Sequence, residues 1–227
     1  MPPREPLSTE RVLRAALALA DASGTEVLTM RRLGQELGVE AMSLYKHVAN
    51  KDAILDGIVD LVVGEIALPH PRSSWKSAMR RRGMSAHQVL MRHRWACPLL
   101  MSRINTGPAM MAYVDATLGT LRAAGFSVQL ADHAWNAMDS HVYGHTMQQL
   151  MSPFESQDYG EAAREHAPKL PPNSYPHLTE LAIHVTEGRY NGIVDVGFGL
   201  DLILDGLERL LDPPQQSPHQ QIDHKAR

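Results

Sequence analysis

One cysteine in 227 residues excludes an internal disulfide, and a lone Cys97 fits a reducing cytoplasm. No charged-then-apolar leader opens the chain, and no apolar run reaches the roughly eighteen residues of a membrane-spanning helix. Neither secretion nor membrane insertion is therefore expected. A GxSxG elbow, a glycine-rich phosphate loop, a dinucleotide fingerprint and an HExxH or Cys-rich metal set are all missing, which removes the commonest enzyme signatures. His93 and Cys97 stand four apart like a base and a nucleophile, but Pro98 directly after the cysteine reads as a helix boundary. The pair is set aside, and no catalytic residue, cofactor or metal is expected. One charge sign is also missing locally: residues 67 to 114 carry eight Lys or Arg and no Asp or Glu. Residues 1 to 66 hold seven basic and ten acidic residues, and 115 to 227 hold seven and fifteen.

What is present is ordinary for a globular chain. Apolar residues make up 44% and charged residues 21%, which excludes wholesale disorder, and the length suits a small domain joined to a larger one. The most informative stretch is Thr29 to Lys51, TMRRLGQELGVEAMSLYKHVANK. Leu33 and Leu37 lie four apart on one helical face, Gly38 is a helix stop, and Leu44 and Val48 form a second pair four apart. Two short helices with a tight glycine turn read as a helix-turn-helix, although plain helical hairpins share that pattern. In a DNA-binding helix-turn-helix the second helix offers its N-terminal side chains to base edges in the major groove. Ala41, Met42 and Ser43 would then face bases. Tyr45, Lys46, His47 and Lys51 have the chemistry for phosphates, and Arg31 could reach either. With Thr29 and Met30 at the start of the bracing helix, these form the DNA-facing set. The net charge of −3 is no general attraction to DNA, so affinity for phosphates must come from this local cluster.

The context of the motif narrows the choice. The ungapped string LTMRRLGQELGVEAMSLYKHVANKDAILDGIVD, from Leu28 to Asp60, resembles the N-terminal domain of the TetR (tetracycline repressor) family of bacterial transcription regulators. LRAAGFS from Leu121 and GFGLDLILDGLERLL from Gly197 extend the likeness to a tetracycline-repressor-type C-terminal domain. The resemblance implies an all-α homodimer that binds a double-stranded DNA operator, with a small effector held by the larger C-terminal domain. It implies residues 8–67 as the DNA-binding domain and 72–212 as the effector-binding and dimerisation domain. Residues 1–7 and 213–227 read as disordered. Ala41, Met42 and Ser43 are more apolar than the base-reading residues of the name-giving repressor, so a different operator follows.

Along the chain, Ser8 caps a first helix carrying Val12, Leu13, Ala16, Leu17 and Ala20, and Gly24 ends it. Asn50 caps a helix running to about Ala67, which in the family transmits effector binding to the DNA-reading heads. Further helices are expected over Trp75–Arg94, Leu99–Arg103, Pro108–Ala124, Ser127–Met151, Leu178–Glu187 and Ile193–Leu211. Residues 152–177 hold five prolines and read as a long connection, a flap or a disordered segment. Arg80, Arg81 and Arg82 read as a solvated face, with an anion-attracting patch as the alternative. His141 and His145 have metal-ligand spacing, yet packed histidines are the plainer reading. Gly197, Gly199 and Gly206 suggest that the last helix closely approaches a partner helix, and the family's dimer pairs it with the Ser127–Met151 helix.

The effector is the least legible part. Positions aligned with the drug-gripping residues of the name-giving protein hold Met101, Ile104 and Thr117, with Gln148 downstream, so the metal-drug grip is largely missing. A more apolar or aromatic ligand follows, and Trp135, Met138 and His141 complete the expected effector set. The sequence thus reads as a ligand-responsive DNA-binding regulator. A helical small-molecule binder without specific DNA binding is the alternative.

Overall fold

Ser8 lies in extended backbone and its hydroxyl accepts from the Arg11 amide at 3.2 Å. Behind that cap Val12, Ala16, Leu19 and Ala20 recur at helical spacing on a buried face, giving α1, Thr9–Ser23, which Gly24 ends at φ 80°. The computed structural model describes residues 6–70, 72–152, 159–166, 169, 174–190 and 195–211. These form eleven helices and, among the described residues, no strand. The arm before Pro6, the segment 153–158 and the tail from Asp212 lie outside the described residues.

Three helices follow in the head: α2, Met30–Leu37; α3, Ala41–Leu44; and α4, Lys51–Gly64. Their caps are the ones the sequence offers. Thr29 Oγ1 accepts from the Arg32 amide at 3.1 Å, and Asn50 Oδ1 accepts from Ala53 at 2.8 Å. Gly38 takes the left-handed conformation, φ 67°, and its N–H returns to the Gln35 carbonyl. Val12, Ala16, Leu33, Leu44, Ile54 and Ile58 meet in one buried cluster, so four short helices that could not bury a face alone share a core.

The body is built from α5, Trp75–Arg92; α6, Ala96–Ser102; α7, Pro108–Ala123; α8, Val128–Met151; α9, Tyr159–His166; α10, Pro176–Thr186; and α11, Val196–Leu211. Two further apolar clusters hold it. One joins α4 to α5, α6, α7 and α8 through Val59, Val62, Leu90 and Val142, and the other joins α5, α7, α8 and α11 through Met79, Leu121, Met138 and Leu204.

Several expectations are corrected. α4 stops at Gly64 instead of near Ala67, and Pro98 lies in the first turn of α6, where a missing N–H breaks no helical bond. The proline-rich connection contains α9, eight residues too short to show a periodic face between its flanking prolines. The arginine run is a solvated face only at Arg80 and Arg81, which are exposed, and not at Arg82. Arg80 pairs with Asp201 of α11 at 2.7 Å, Arg81 donates to Ser73 Oγ at 2.7 Å, and Arg82 is fully buried against Asp139 of α8. The close approach of two of the three α11 glycines is to their own chain: a Cβ at Gly197 would meet Arg80 Nη2 at 3.1 Å, and one at Gly199 would overlap the His141 ring, while Gly206 faces open space.

The segment without acidic residues now has a structural account. Asp52, Asp56 and Asp60 lie four apart along α4, with Glu65 just past its end, and each meets the body. Arg103 donates to Asp56 at 2.7 Å and to Asp52 at 3.2 Å, and Asp60 accepts from the amides of Ala109 and Met110 at the start of α7. Glu65 takes Arg92 at 2.6 Å. Lys76 reaches Asp205 and Glu208 of α11. Lys76, Arg80, Arg82, Arg92 and Arg103 of the basic segment are thus matched to carboxylates on or just past α4, on α8 and on α11.

Candidate functional site

The residues expected to face DNA lie at the start of α2, along α3 and the turn after it, and at the start of α4. A Cβ at Gly34 would sit 2.8 Å from the Val39 carbonyl, so α2 and the turn that follows it pack closer than any side chain would permit. Gly34 is absent from the residues that the sequence pattern singles out; its lack of a side chain between Leu33 and Leu37 is the signal that could have found it. α3 emerges from that turn as one regular turn, then continues through a tight bend in which His47 and Val48 donate to the Leu44 carbonyl at 2.9 and 3.0 Å. Leu44 is buried and anchors it, and Thr9 Oγ1 donates to the His47 carbonyl at 3.0 Å, fixing its far end to α1.

On this frame Met42 is 76% exposed. Ala41 and Ser43 beside it are half-buried, and Tyr45, Lys46 and Lys51 are exposed, with His47 half-buried. Thr29 spends its hydroxyl on the α2 cap, Met30 packs against the head core, and Arg31 is exposed. Lys51 Nζ lies 3.3 Å from the Thr25 carbonyl, an exposed contact that leaves two of its three N–H donors for other acceptors.

The expected effector residues do not form one group. Met101 and Ile104 are on the surface, the latter 91% exposed at the rim of an open cleft of about 740 Å³ between α1, α4 and the α6–α7 loop. Thr117 is buried, but its hydroxyl donates to the Tyr113 carbonyl at 2.7 Å within α7. Met138 is buried in the third apolar cluster, and the Nε2 of His141 faces the Val196 carbonyl at 2.9 Å. Trp135 differs: its indole N–H donates to Asp139 Oδ2 at 2.6 Å and so joins an interior polar cluster.

That cluster centres on Arg82, a residue expected on a solvated face. Its Nη2 donates to Asp139 Oδ1, and its guanidinium lies over the Tyr113 ring, 4.6 Å from the centroid. Tyr143 donates to Asp139 Oδ2 at 3.2 Å. Burial works against the charge of Arg82, but Tyr113 and Asp139 outweigh it and its pKa stays raised. Burial also pushes the Tyr113 and Tyr143 hydroxyls well above their usual range. His87 Nδ1 lies 2.9 Å from Thr146 Oγ1, and the His87 and His145 rings stand edge to face. Both imidazoles are held below their ordinary pKa, His87 by burial and then His145, His145 by burial and then His141. The signal for Arg82 is in the sequence: position 82 falls on the face of α5 that buries Ala78, Met79, Ala86 and Val89.

No group of three or more His, Cys, Asp or Glu among the described residues could hold a metal ion. The Cys97 thiol is pushed up to about 11 by burial and faces the Tyr143 carbonyl, while His93 faces Asp21 and Glu65. The two are not a nucleophile and its base.

Comparison with known proteins agrees with this geometry. Residues 12–58 match the model of the tetR family of bacterial regulatory proteins, and residues 68–211 match the tetracyclin repressor-like C-terminal domain. The HTH-type transcriptional repressor DrrR1 of Streptomyces coeruleorubidus is 31% identical, over 92% of this chain and 80% of its own. The class C tetracycline repressor protein of Escherichia coli is 32% identical, over 90% and 92%. Among solved structures, ActR of Streptomyces coelicolor in complex with actinorhodin superposes with a TM-score of 0.76 at 29% identity, covering 91% of this chain and 99% of that one. A helix-turn-helix head on an all-helical body, matched over most of its length by these regulators, places the chain in the tetR family: it is a DNA-binding transcriptional regulator.

Proposed function

We propose that the chain acts in the cytoplasm as a homodimeric repressor, bound to a palindromic operator and released when a small molecule enters its body. Residues 8–67 form the DNA-reading unit and 72–212 the effector-binding and dimerising unit. α3 lies in the major groove with Ala41, Met42 and Ser43 toward base edges, while Tyr45, Lys46, His47 and Lys51 hold phosphates. Thr29, Met30 and Arg31 approach the backbone from the start of α2.

The observation that carries this reading is Met42. It stands 76% exposed beside exposed Tyr45 and Lys46, on a turn pinned at Leu44 and His47, so side chains suited to bases and phosphates stand clear of the core together. A base step is a suitable partner, because thymine offers a methyl group in the major groove. The names of the relatives, transcriptional repressor and tetracycline repressor, support repression. The ActR complex with actinorhodin supports a ligand in the body.

Dimerisation is supported by α11. Phe198, Leu202 and Leu210 recur on a face that is more than half exposed in the protomer, with Gly206 between them. Release requires that the ligand prefer a spacing of the heads that does not fit DNA, by about 5.5 kcal/mol for a complete switch. The row of carboxylates on and just past α4 gives a means, since each is fastened to the body while the first half of the helix, through Ile54, Leu55 and Ile58, belongs to the core of the head.

A gel shift of the purified protein on DNA from just upstream of its own gene, with excess competitor, tests the reading. A discrete shift is expected, and selection from random DNA should return a palindrome. Selection that enriches nothing, with the protein folded and dimeric, would leave the helical ligand binder without specific DNA binding.

A further inference from the structure

The open cleft of about 740 Å³ between α1, α4 and the α6–α7 loop shares no residue with the two apolar clusters that fill the body. Its size falls in the range of roughly 300–1,000 Å³ usual for small-molecule sites. Close packing sets its walls. A Cβ at Gly57 of α4 would lie 2.6 Å from Leu13 Cδ2 of α1, so these two helices touch where they line the cleft. Asp60 accepts from the amides of Ala109 and Met110, which ties the far end of the α6–α7 loop to α4, and a Cβ at Gly107 would overlap its carboxylate. The cleft is thus formed before any ligand arrives.

The lining carries charge of one sign. Glu10, Asp56 and Asp60 face the cleft, and among the described residues no Lys, Arg or His lines it. Glu10 pairs with Arg14 and Asp56 with Arg103, but both arginines stand outside the lining. Asp60 has backbone amides for partners, so only the partial positive charge of a helix start offsets it. An anion is therefore repelled and a cation drawn in. No three carboxylates or imidazoles among the described residues could close round a metal ion, so a bare metal is not what the cleft would hold. The rest of the lining supplies the other half of the recognition, since Leu13, Leu61, Ile104 and Pro108 offer apolar surface beside the carboxylates. We propose that this cleft is a ligand site of its own, apart from the interior of the body, and that it takes an organic cation: a protonated amine on a compact apolar frame. The amine lies toward the carboxylates of α1 and α4 while the frame rests on the α6–α7 loop. The proposal does not depend on whether another small molecule enters the body.

Three adamantane probes of equal size and different charge test this on the full chain by titration calorimetry at pH 7 and low salt. 1-Adamantylmethylamine is a cation there, 1-adamantanemethanol is neutral and 1-adamantanecarboxylate is an anion. The amine is expected to bind once per protomer, about threefold tighter than the alcohol and about tenfold tighter than the carboxylate, as befits charges in an open, hydrated cleft. Added salt should weaken the amine and leave the alcohol unchanged. Two exposed positions locate the site. Glu10→Gln removes one lining charge and should weaken the amine about twofold to threefold without affecting the alcohol. Ile104→Gln removes apolar surface at the rim, and Ile104→Lys also adds a positive charge there, so the lysine variant should bind the amine more weakly than the glutamine variant while both bind the alcohol alike. Equal binding of amine and alcohol, tightest binding of the carboxylate, or no binding of the amine to the folded protein would each overturn the proposal. So would an amine that binds the parent, Glu10→Gln and Ile104→Lys equally well, because it would then sit elsewhere in the chain.

Discussion

His87 and His145 carry a charge balance that depends on pH. His145 is buried and His87 half-buried beside it, so the folded chain resists protonating them, whereas the unfolded chain takes up protons at the ordinary histidine value of 6.5. A depressed histidine pKa therefore leaves stability intact above 6.5 and erodes it as pH falls through that value, since the unfolded state then binds more protons. Urea midpoints should fall between about pH 7.5 and 5.5, a window chosen to sit above the carboxylates. His87→Gln, which does not titrate and can still bond Thr146, should flatten the slope. An unchanged slope would mean that other groups carry it. Cys97 gives a second residue-scale expectation. With its thiol pushed up to about 11, it should resist a disulfide reagent at pH 8 in the native protein and react promptly in denaturant. Rapid native labelling would show that the body opens around α6. At the DNA surface, Met42→Ala should change which bases are preferred, and Lys51→Ala should weaken all sequences and lower the log–log salt slope by about one. If selection with the Met42 variant returned the parent's site, α3 would not be reading bases.

Glycines distinguish which elements are in tight contact. Gly34→Ala pushes a methyl against the backbone of the α2–α3 turn, and Gly199→Ala pushes one into the His141 ring, so each should cost about 1–3 kcal/mol. Gly119, exposed on α7 with nothing within reach of a Cβ, is the control: alanine there should add up to about 1 kcal/mol by helix propensity. Chemical denaturation of the three variants decides it, and a stabilised Gly34→Ala would refute the close packing of the turn. The same elements show what is legible from sequence. Thr29, Gly38 and Asn50 act through caps and turns within a few residues, so local pattern places α2, α3 and the start of α4. Arg82 acts through Asp139, 57 residues away, and three arginines in a row mask its place on the buried face of α5. Met101 and Ile104 follow from alignment to another protein's grip rather than from any property of this chain, and they lie on the surface. α9 escapes because eight residues between prolines carry too little periodicity to read.

For the homodimer proposed above, the decisive quantity is how its two heads are held apart. An operator with two half-sites presents them about 34–36 Å apart on one face of the duplex, and a single head can occupy only one. The exposed face of α11 is the surface best suited to fix that distance, because Phe198, Leu202 and Leu210 lie four or eight residues apart and are unsupported within the protomer. Leu202→Glu alters a side chain that the protomer leaves 59% exposed, so the head and body should fold as before. Across a paired interface the same change places carboxylates in an apolar seam, where stripping them of water with no partner charge disfavours pairing. Sedimentation should therefore show the variant as a monomer with unchanged helical content. Its operator affinity should drop by at least about a hundredfold, because the second head is no longer delivered at a high effective concentration. A variant that stays dimeric and binds DNA like the parent would place the interface elsewhere on the body. A variant that is monomeric yet keeps full affinity would show that one head suffices and that the operator is not a palindrome.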